Sequence, residues 1–412
     1  MNICVLGLGY IGLPTALMLA SGGNKVVGVD VKEELVAQLC DGSLPFYEEG
    51  MHELFQTASS KGIKFSSSCI ESDVYIIAVP TPFESVSKKI DPSYVVAAVN
   101  SVLDLCSVDR GQIIIIESTI SPGTVDRHVR PVVIRRGFVP GQDVHLVHAP
   151  ERIMPGQMLR ELRENARTIG ADSPEIGEIV RKVYATFCNG EIVLTDIRTA
   201  EITKVVENTY RDINIAFANE LAKICRQDKL NVYEIIKIAN MHPRVDILQP
   251  GPGVGGHCIS VDPWFLVGDY PMLSLLIHEA RKINDSMPGF VLKRVQDILS
   301  ENYLLKTAKV GFYGITYKEN VDDTRDSPTL QLYQLIQLHM GNLSSRIRFY
   351  DPMCNTIILD GQMNDFDEFL EFCDLVVVMV GHTHIKDNAD KLVGKLVLDT
   401  RNVCDLQSCY KL

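Results

Sequence analysis

The sequence predicts an α/β protein. Two Rossmann-like, doubly wound parallel-sheet domains are joined by a long central helix and a helical middle. Three observations predict this. Short apolar runs of strand length recur towards both ends of the chain, separated by helix-length segments. Such alternation marks parallel strands linked by right-handed crossovers. Two of the runs, NICVLGLGYIG (2–12) and AKVGFYGITYK (308–318), each pass from a buried strand into a Gly-marked turn. Between them, IRTAEITKVVENTYRDINIAFANELAKICRQ (197–227) contains no Gly or Pro and many helix formers, so one long helix is expected there.

In the first half, strands are expected in KVVGVDV (25–31), DVYIIAVP (73–80), QIIIIEST (112–119) and DVHLVHAP (143–150). In the second half they are expected in IRFYDP (347–352), DLVVVMVG (374–381) and KLVLDT (395–400). A further helical stretch runs from about Ser274 to Glu301. The expected division is 1–195, a dinucleotide-binding domain; 196–302, a helical domain suited to dimerisation; and 303–412, a second Rossmann-like domain. A ligand cleft is expected between the two sheet domains.

With 412 residues, 46% of them hydrophobic, the chain can bury two or three cores. No apolar run approaches the roughly 18 residues of a membrane span. The N-terminus runs from Met straight into a strand pattern, so no signal peptide is expected. Eleven cysteines, an odd number with no CxxC pair, point to reduced thiols, a cytoplasmic location and no metal site. A net charge of −12 without a basic block argues against nucleic acid or an anionic membrane as partner.

VLGLGYIG places Gly7, Gly9 and Gly12 around Tyr10 and Ile11, after a strand and before a helix. Gly7 permits the tight turn, Gly9 lets a pyrophosphate approach the backbone, and Gly12 permits close helix–strand packing. Asp30 ends the second strand, where a carboxylate accepts from a ribose 2′-hydroxyl and repels a 2′-phosphate. NAD is therefore expected rather than NADP, with Lys32 weighing the other way. Thr81 in VPTP and Thr119 in ESTISPGT each end a strand at the ligand-binding edge of such sheets, as cofactor contacts or as turn threonines.

In the middle helix, Lys204, Asn208 and Arg211 recur at i, i+4 and i+7, on one face. Ile202, Val206, Ile213 and Phe217 lie on the opposite stripe. The polar face either lines the expected cleft or is simply solvated. In PGPGVGGHCISVDP (250–263), Cys258 is either a buried thiol or a nucleophile. Gly251, Gly253, Gly255 and Gly256 leave bare backbone whose N–H groups could hold an oxyanion or a substrate. Lys204 or His257 could lower the thiol pKa, and Asp262 could order a water or pair with Lys204.

GLGYIGLP, AVPTPF, ESTISPGT, APERIMPG, the middle helix, HPRVDILQPGPGVGGHCISVDPWF and YKENVDDTRDSP together resemble, in order and over nearly the whole chain, the UDP-sugar 6-dehydrogenases of the UDP-glucose/GDP-mannose dehydrogenase family. The resemblance implies two NAD-dependent oxidations of a sugar C6 hydroxyl through a covalent Cys258 adduct. It implies Lys204 as acid/base or oxyanion partner, supported by Asp262, with Asn208 on the substrate or the developing oxyanion. Glu151 and Thr119 would lie near the nicotinamide and the hydrolytic water. Arg152, Ile153, Arg211, His242, Arg244 and Gly255 would hold the sugar nucleotide, with Arg244 reaching across a homodimer interface. Lys318 would hold the substrate pyrophosphate, and Arg325 would contact NAD. HPRV (242–245) and CISVDPWF (258–265) lean towards UDP-N-acetyl-D-mannosamine. UDP-N-acetylglucosamine, UDP-N-acetylgalactosamine and UDP-glucose are alternatives, as is an inactive NAD-responsive regulatory protein. Glu319 stands where many members have proline.

Overall fold

The computed structural model describes residues 1–108, 110–340, 345–404, 406 and 409–412, with residues 339 and 340 described by backbone alone. The chain forms two compact units, Met1–Glu207 with Trp264–Pro271, and Asn208–Pro263 with Met272–Leu412. The expected helical middle is thus shared, and the long helix Ile197–Gln227 crosses the boundary.

The first unit holds an eight-stranded sheet in the order β3-β2-β1-β4-β5-β6-β7-β8. Its strands are β1 (Asn2–Leu6), β2 (Lys25–Val29), β3 (Lys64–Ser66), β4 (Val74–Ile77), β5 (Gln112–Ile116), β6 (Val144–His148), β7 (Arg167–Ala171) and β8 (Ile192–Thr195). Ile113 to Ile116 of β5 are buried on both faces, which is why that strand reads as an unbroken apolar run. Helix Gly12–Ser21 packs Leu13, Ala16 and Leu17 onto Ile3, Val5 and Ile76.

One pairing departs from the expected parallel sheet: β7 runs antiparallel to β6, with Val147 opposite Ala171 and His148 opposite Gly170. The chain returns from β6 along the carboxyl edge instead of crossing over the sheet. Arg167, the first residue of β7, is thereby brought to the edge where Rossmann sheets bind ligands.

The second unit holds a six-stranded sheet, β11-β10-β9-β12-β13-β14. Its strands are β9 (Val310–Tyr313), β10 (Ile347–Tyr350), β11 (Gln362–Met363), β12 (Leu375–Val378), β13 (Leu396–Asp399) and β14 (Tyr410–Lys411). All its pairings are parallel. Val310 and Phe312 face Met287, Val291, Leu332 and Ile336. Tyr313 faces Phe366 and Phe369 across the sheet. The expected helical stretch after Ser274 is two helices, Leu275–Asp285 and Met287–Glu301. Pro288 causes the break: it lacks an N–H to continue a helix but fits a first turn.

The two sheets repeat one design. The second has the strand order of the first six strands of the first. Gly7 N–H donates to Val29 O at 2.8 Å, and Gly314 N–H to Tyr350 O at 2.7 Å. Both glycines have positive φ, +89° and +98°. Asp30 Oδ2 accepts from Leu8 N–H at 2.8 Å, and Asp351 Oδ2 from Ile315 N–H at 2.6 Å. Among the described residues no helix is long and apolar enough to cross a membrane.

Candidate functional site

The first turn fits a dinucleotide. A Cβ on Gly7 would lie 2.6 Å from Ala78 O, and one on Gly12 would strike Gly7 O at 1.8 Å. Those two glycines close the turn against β4 and the helix. Gly9 differs: nothing lies within 4 Å of where its Cβ would be. Bare backbone there faces open space at a helix N-terminus, where phosphate is favoured. The Tyr10 ring stacks on Phe46 at 4.3 Å, and Ile11 immediately precedes the helix. Asp30 braces the turn through Leu8 N–H and its own loop through Lys32 N–H at 3.0 Å. Thr81 Oγ1 donates to Thr119 O at 2.7 Å, so the two candidate threonine loops are tied together.

Next to them lies a buried ion cluster in which Arg167, which no motif marks, joins Glu117 of ESTISPGT to Glu151 of APERIMPG. Arg167 sits between Glu117 Oε1 at 3.0 Å and Glu151 Oε2, in direct contact. Tyr184 Oη donates to Glu117 Oε1 at 3.1 Å, and its ring lies 4.1 Å from the guanidinium. Burial raises the Glu117 pKa, with Arg167 opposing. Arg152 donates to Thr168 Oγ1 at 2.7 Å and pairs with Glu207 at 2.8 Å. Ile153 packs against the core.

In the second unit the cysteine loop is gripped by protein. A Cβ on Gly251 would meet Arg401 Nη1 at 2.5 Å, and one on Gly255 would meet Asp326 O at 2.6 Å. Gly253 faces Pro288 and Pro328, and Gly256, at φ +80°, faces the Tyr317 ring. These glycines, expected to leave bare backbone for a ligand, chiefly make room for the 317–328 segment and its surroundings. Gly256 N–H donates to Arg325 O at 2.9 Å, and Ser260 Oγ donates to Gly256 O. Cys258 is half-buried and His257 exposed.

Cys258 O accepts the Asp262 N–H at 2.8 Å, turning the loop into helix Asp262–Asp269. The Asp262 carboxylate accepts from Asn208 Nδ2 at 2.6 Å, both residues being buried. Cys258, Asp262 and Asn208 are thus brought together. Lys204, one turn earlier on the long helix, is also buried. Arg211, expected on that face, is exposed. Its neighbour Asp212 is buried instead and heads a polar network. Arg281 Nη1 donates to Asp212 at 2.6 Å, and Asn284 Nδ2 donates to it at 2.8 Å. Asn219 Nδ2 donates to Asn284 at 2.8 Å and its Oδ1 accepts Gly251 N–H at 2.9 Å. The network anchors the start of the cysteine loop. The buried partners lie far apart in sequence, so no local spacing singles them out.

At the second turn, Arg325 is folded onto its own neighbour Asp323, at 2.6 to 3.1 Å. Lys318 is half-buried. Asn320 N–H donates to His382 Nδ1 at 3.0 Å, and His382 Nε2 faces Asp351 at 3.2 Å. His382 therefore carries its proton on Nε2 and holds this segment from behind. Glu319 pairs with Lys386 at 3.2 Å on the surface. His242 and Arg244 are exposed, with Arg244 N–H on His242 Nδ1 at 3.3 Å.

Three family descriptions match the chain in order. The UDP-glucose/GDP-mannose dehydrogenase family NAD binding domain matches residues 1–188, its central domain 198–286, and its UDP binding domain 311–406. A UDP-N-acetyl-D-mannosamine dehydrogenase from Methanococcus maripaludis is 43% identical over 98% of this chain and 93% of its own. The structure of a UDP-D-ManNAc dehydrogenase from Pyrococcus horikoshii superposes with a TM-score of 0.91 at 36% identity, covering 100% of this chain and 99% of that one. The Staphylococcus aureus UDP-N-acetyl-mannosamine dehydrogenase Cap5O gives 0.89 at 41%, covering 100% and 98%.

Proposed function

The chain belongs to the UDP-glucose/GDP-mannose dehydrogenase family, and from that premise we propose that it oxidises the C6 hydroxyl of UDP-N-acetyl-D-mannosamine to a carboxylate in two steps. When bound, NAD accepts a hydride at each oxidation. Gly7 to Gly12, Asp30, Thr81, Thr119 and Arg325 would hold it.

The chain's own residues carry the rest. Lys204 takes the hydroxyl proton, and Asn208 steadies the oxyanion as the aldehyde forms. The Cys258 thiolate adds to that aldehyde, keeping it bound as a thiohemiacetal. Oxidation of the adduct leaves a thioester. Water held by Glu151, Thr119 and Asp262 cleaves it, releasing the carboxylate and restoring the thiol. Arg152, Ile153, Arg211, His242, Arg244, Gly255 and Lys318 are assigned to the sugar nucleotide. Segments 1–195, 196–302 and 303–412 would serve cofactor, catalysis with dimerisation, and UDP. The observation that carries the covalent route is the pairing of Asn208 with Asp262, whose N–H rests on the Cys258 carbonyl.

Two further parts belong to this reading. The chain works as a homodimer through the long helix, with Arg244 reaching the neighbouring site. It works in the reducing cytoplasm, in keeping with eleven free thiols.

Rates on a panel of UDP-sugars with NADH counting test the proposal. UDP-N-acetylmannosamine is expected among the best substrates, with two NADH formed per uronate. Cys258→Ser is expected to lose net four-electron oxidation. Full activity in that variant refutes the covalent route, and a poor rate on the mannosamine nucleotide refutes the substrate.

A further inference from the structure

At its C-terminal end the long helix borders a basic cavity that the reaction does not use. Lys223, Arg226 and Lys229, with Lys293, Arg294 and Asp297 of helix Met287–Glu301, line a space of about 300 Å³. Five cations face one lining carboxylate there, in a chain whose net charge is −12. Lys223 lies about 22 Å along the helix from Asn208, at about 1.5 Å per residue.

Arg294 is the telling side chain. It is only 4% exposed, yet its Nε and Nη1 have no hydrogen-bond partner among the described residues. Its guanidinium lies 5.3 Å from the Tyr410 ring, which supplies no acceptor. Burial, and then the charge of Arg226, weaken its hold on the proton. Burial does the same to Lys223, whose ammonium donates to Ser286 Oγ at 2.7 Å. Glu301 reaches Arg226 at only 3.5 Å and is itself half in solvent.

Buried donors in native proteins find acceptors or an ion, and a buried charge without a counter-charge is costly. Asp297 and Glu301 together would answer two of the five cations. Five cations around one cavity match an ion of several charges, and guanidinium and ammonium groups together suit phosphate oxygens. We infer that this cavity is a binding site for a small phosphoanion of the pyrophosphate class, either free or as the phosphate end of a nucleotide. The lining includes no residue of either nucleotide turn.

Calorimetric titration of sodium pyrophosphate into the full chain tests it, with the nucleotide sites filled by saturating NAD and UDP. One pyrophosphate per chain is expected, with affinity falling about tenfold or more in Arg294→Gln. Because Arg294 is buried, the exposed pair Lys229→Glu with Lys293→Glu serves as a second variant. It should lose binding by a similar factor while keeping wild-type Tm and NADH production. A parallel titration with ATP separates the sources: tighter binding than pyrophosphate supports a nucleotide, weaker binding a free phosphoanion. No pyrophosphate heat with the wild type, or undiminished affinity in the Lys229/Lys293 variant, overturns the site. NADH production by the wild type is read separately, so failure here is distinct from failure of the proposed reaction.

Discussion

Glu201 opens the long helix with a carboxylate that no solvent reaches. It accepts Val125 N–H at 2.9 Å and, more closely still, Gly123 N–H, fixing the SPGT turn just beyond Thr119. Burial pushes its pKa from 4.5 up to about 7, against the two N–H groups that favour the charged form. The folded chain therefore holds this proton more tightly than the unfolded chain. The stability gained is complete below about pH 4.5 and is lost as pH rises through about 7. Glu201→Gln keeps an oxygen for one of the two N–H groups, sets an NH2 against the other at a cost that does not vary with pH, and removes the ionisation. Between pH 5 and 8 the wild type should lose about 2–3 kcal/mol relative to the variant. Urea unfolding at the two pH values measures this, and a stability gap that does not move with pH refutes it. Nothing in the sequence marks Glu201, because its partners are backbone groups some 76 to 78 residues away.

The long helix sets several polar groups among the apolar residues of its buried face, such as Ala200, Val205, Ala218 and Ala222, and an apolar stripe outside. Its buried face carries Lys204, Asn208, Asp212 and Asn219. Its exposed side carries Ile202, Val206, Tyr210, Phe217 and Ile224, which are 40%, 47%, 64%, 49% and 53% exposed. A surface helix ordinarily keeps such polar groups outside and such a stripe inside. Polar groups inside suit a site, and an apolar stripe outside suits a partner. The helix itself is legible in the sequence, because propensity and the absence of Gly and Pro are local facts. So are the strands that read as apolar runs. The short edge strands β3, β11 and β14 carry no such run. The direction of β7 is not legible either, since register depends on what lies across the sheet. The glycines of the cysteine loop are visible as a composition, but their purpose is not, because Tyr317, Pro328 and Arg401 reach them from distant parts of the chain. If the stripe is a dimer seam, Phe217→Asp places a charge in its centre. Light scattering after gel filtration should then show single chains where the wild type shows pairs. An unchanged mass would remove the long helix from the interface.

At the scale of the whole molecule, one turn design is used twice. Asp30 and Asp351 each follow the second strand of a sheet; Asp30 holds the turn after the first strand through Leu8 N–H, Asp351 through Ile315 and Thr316 N–H, and each also accepts an N–H of its own loop. Both carboxylates are partly spent on the protein itself. They differ in what stands behind them. Asp351 is buried with His382; burial alone would raise its pKa, but His382 and the backbone N–H groups bring it below the ordinary range. Asp30 is half in solvent, where a ribose can reach it. If the first turn serves NAD and the second the UDP-sugar, the two carboxylates can be separated by kinetics. An amide at either position puts an NH2 group among N–H donors and loses about 1–3 kcal/mol of turn bonding. Asp30→Asn should raise KM for NAD about tenfold and leave KM for the UDP-sugar near wild type. Asp351→Asn should do the opposite. Equal loss on both substrates from either variant would mean general unfolding, which Tm would register. Loss on the wrong substrate would reverse the assignment of the two sheets. The comparison needs both variants, because each one serves as the control for the other.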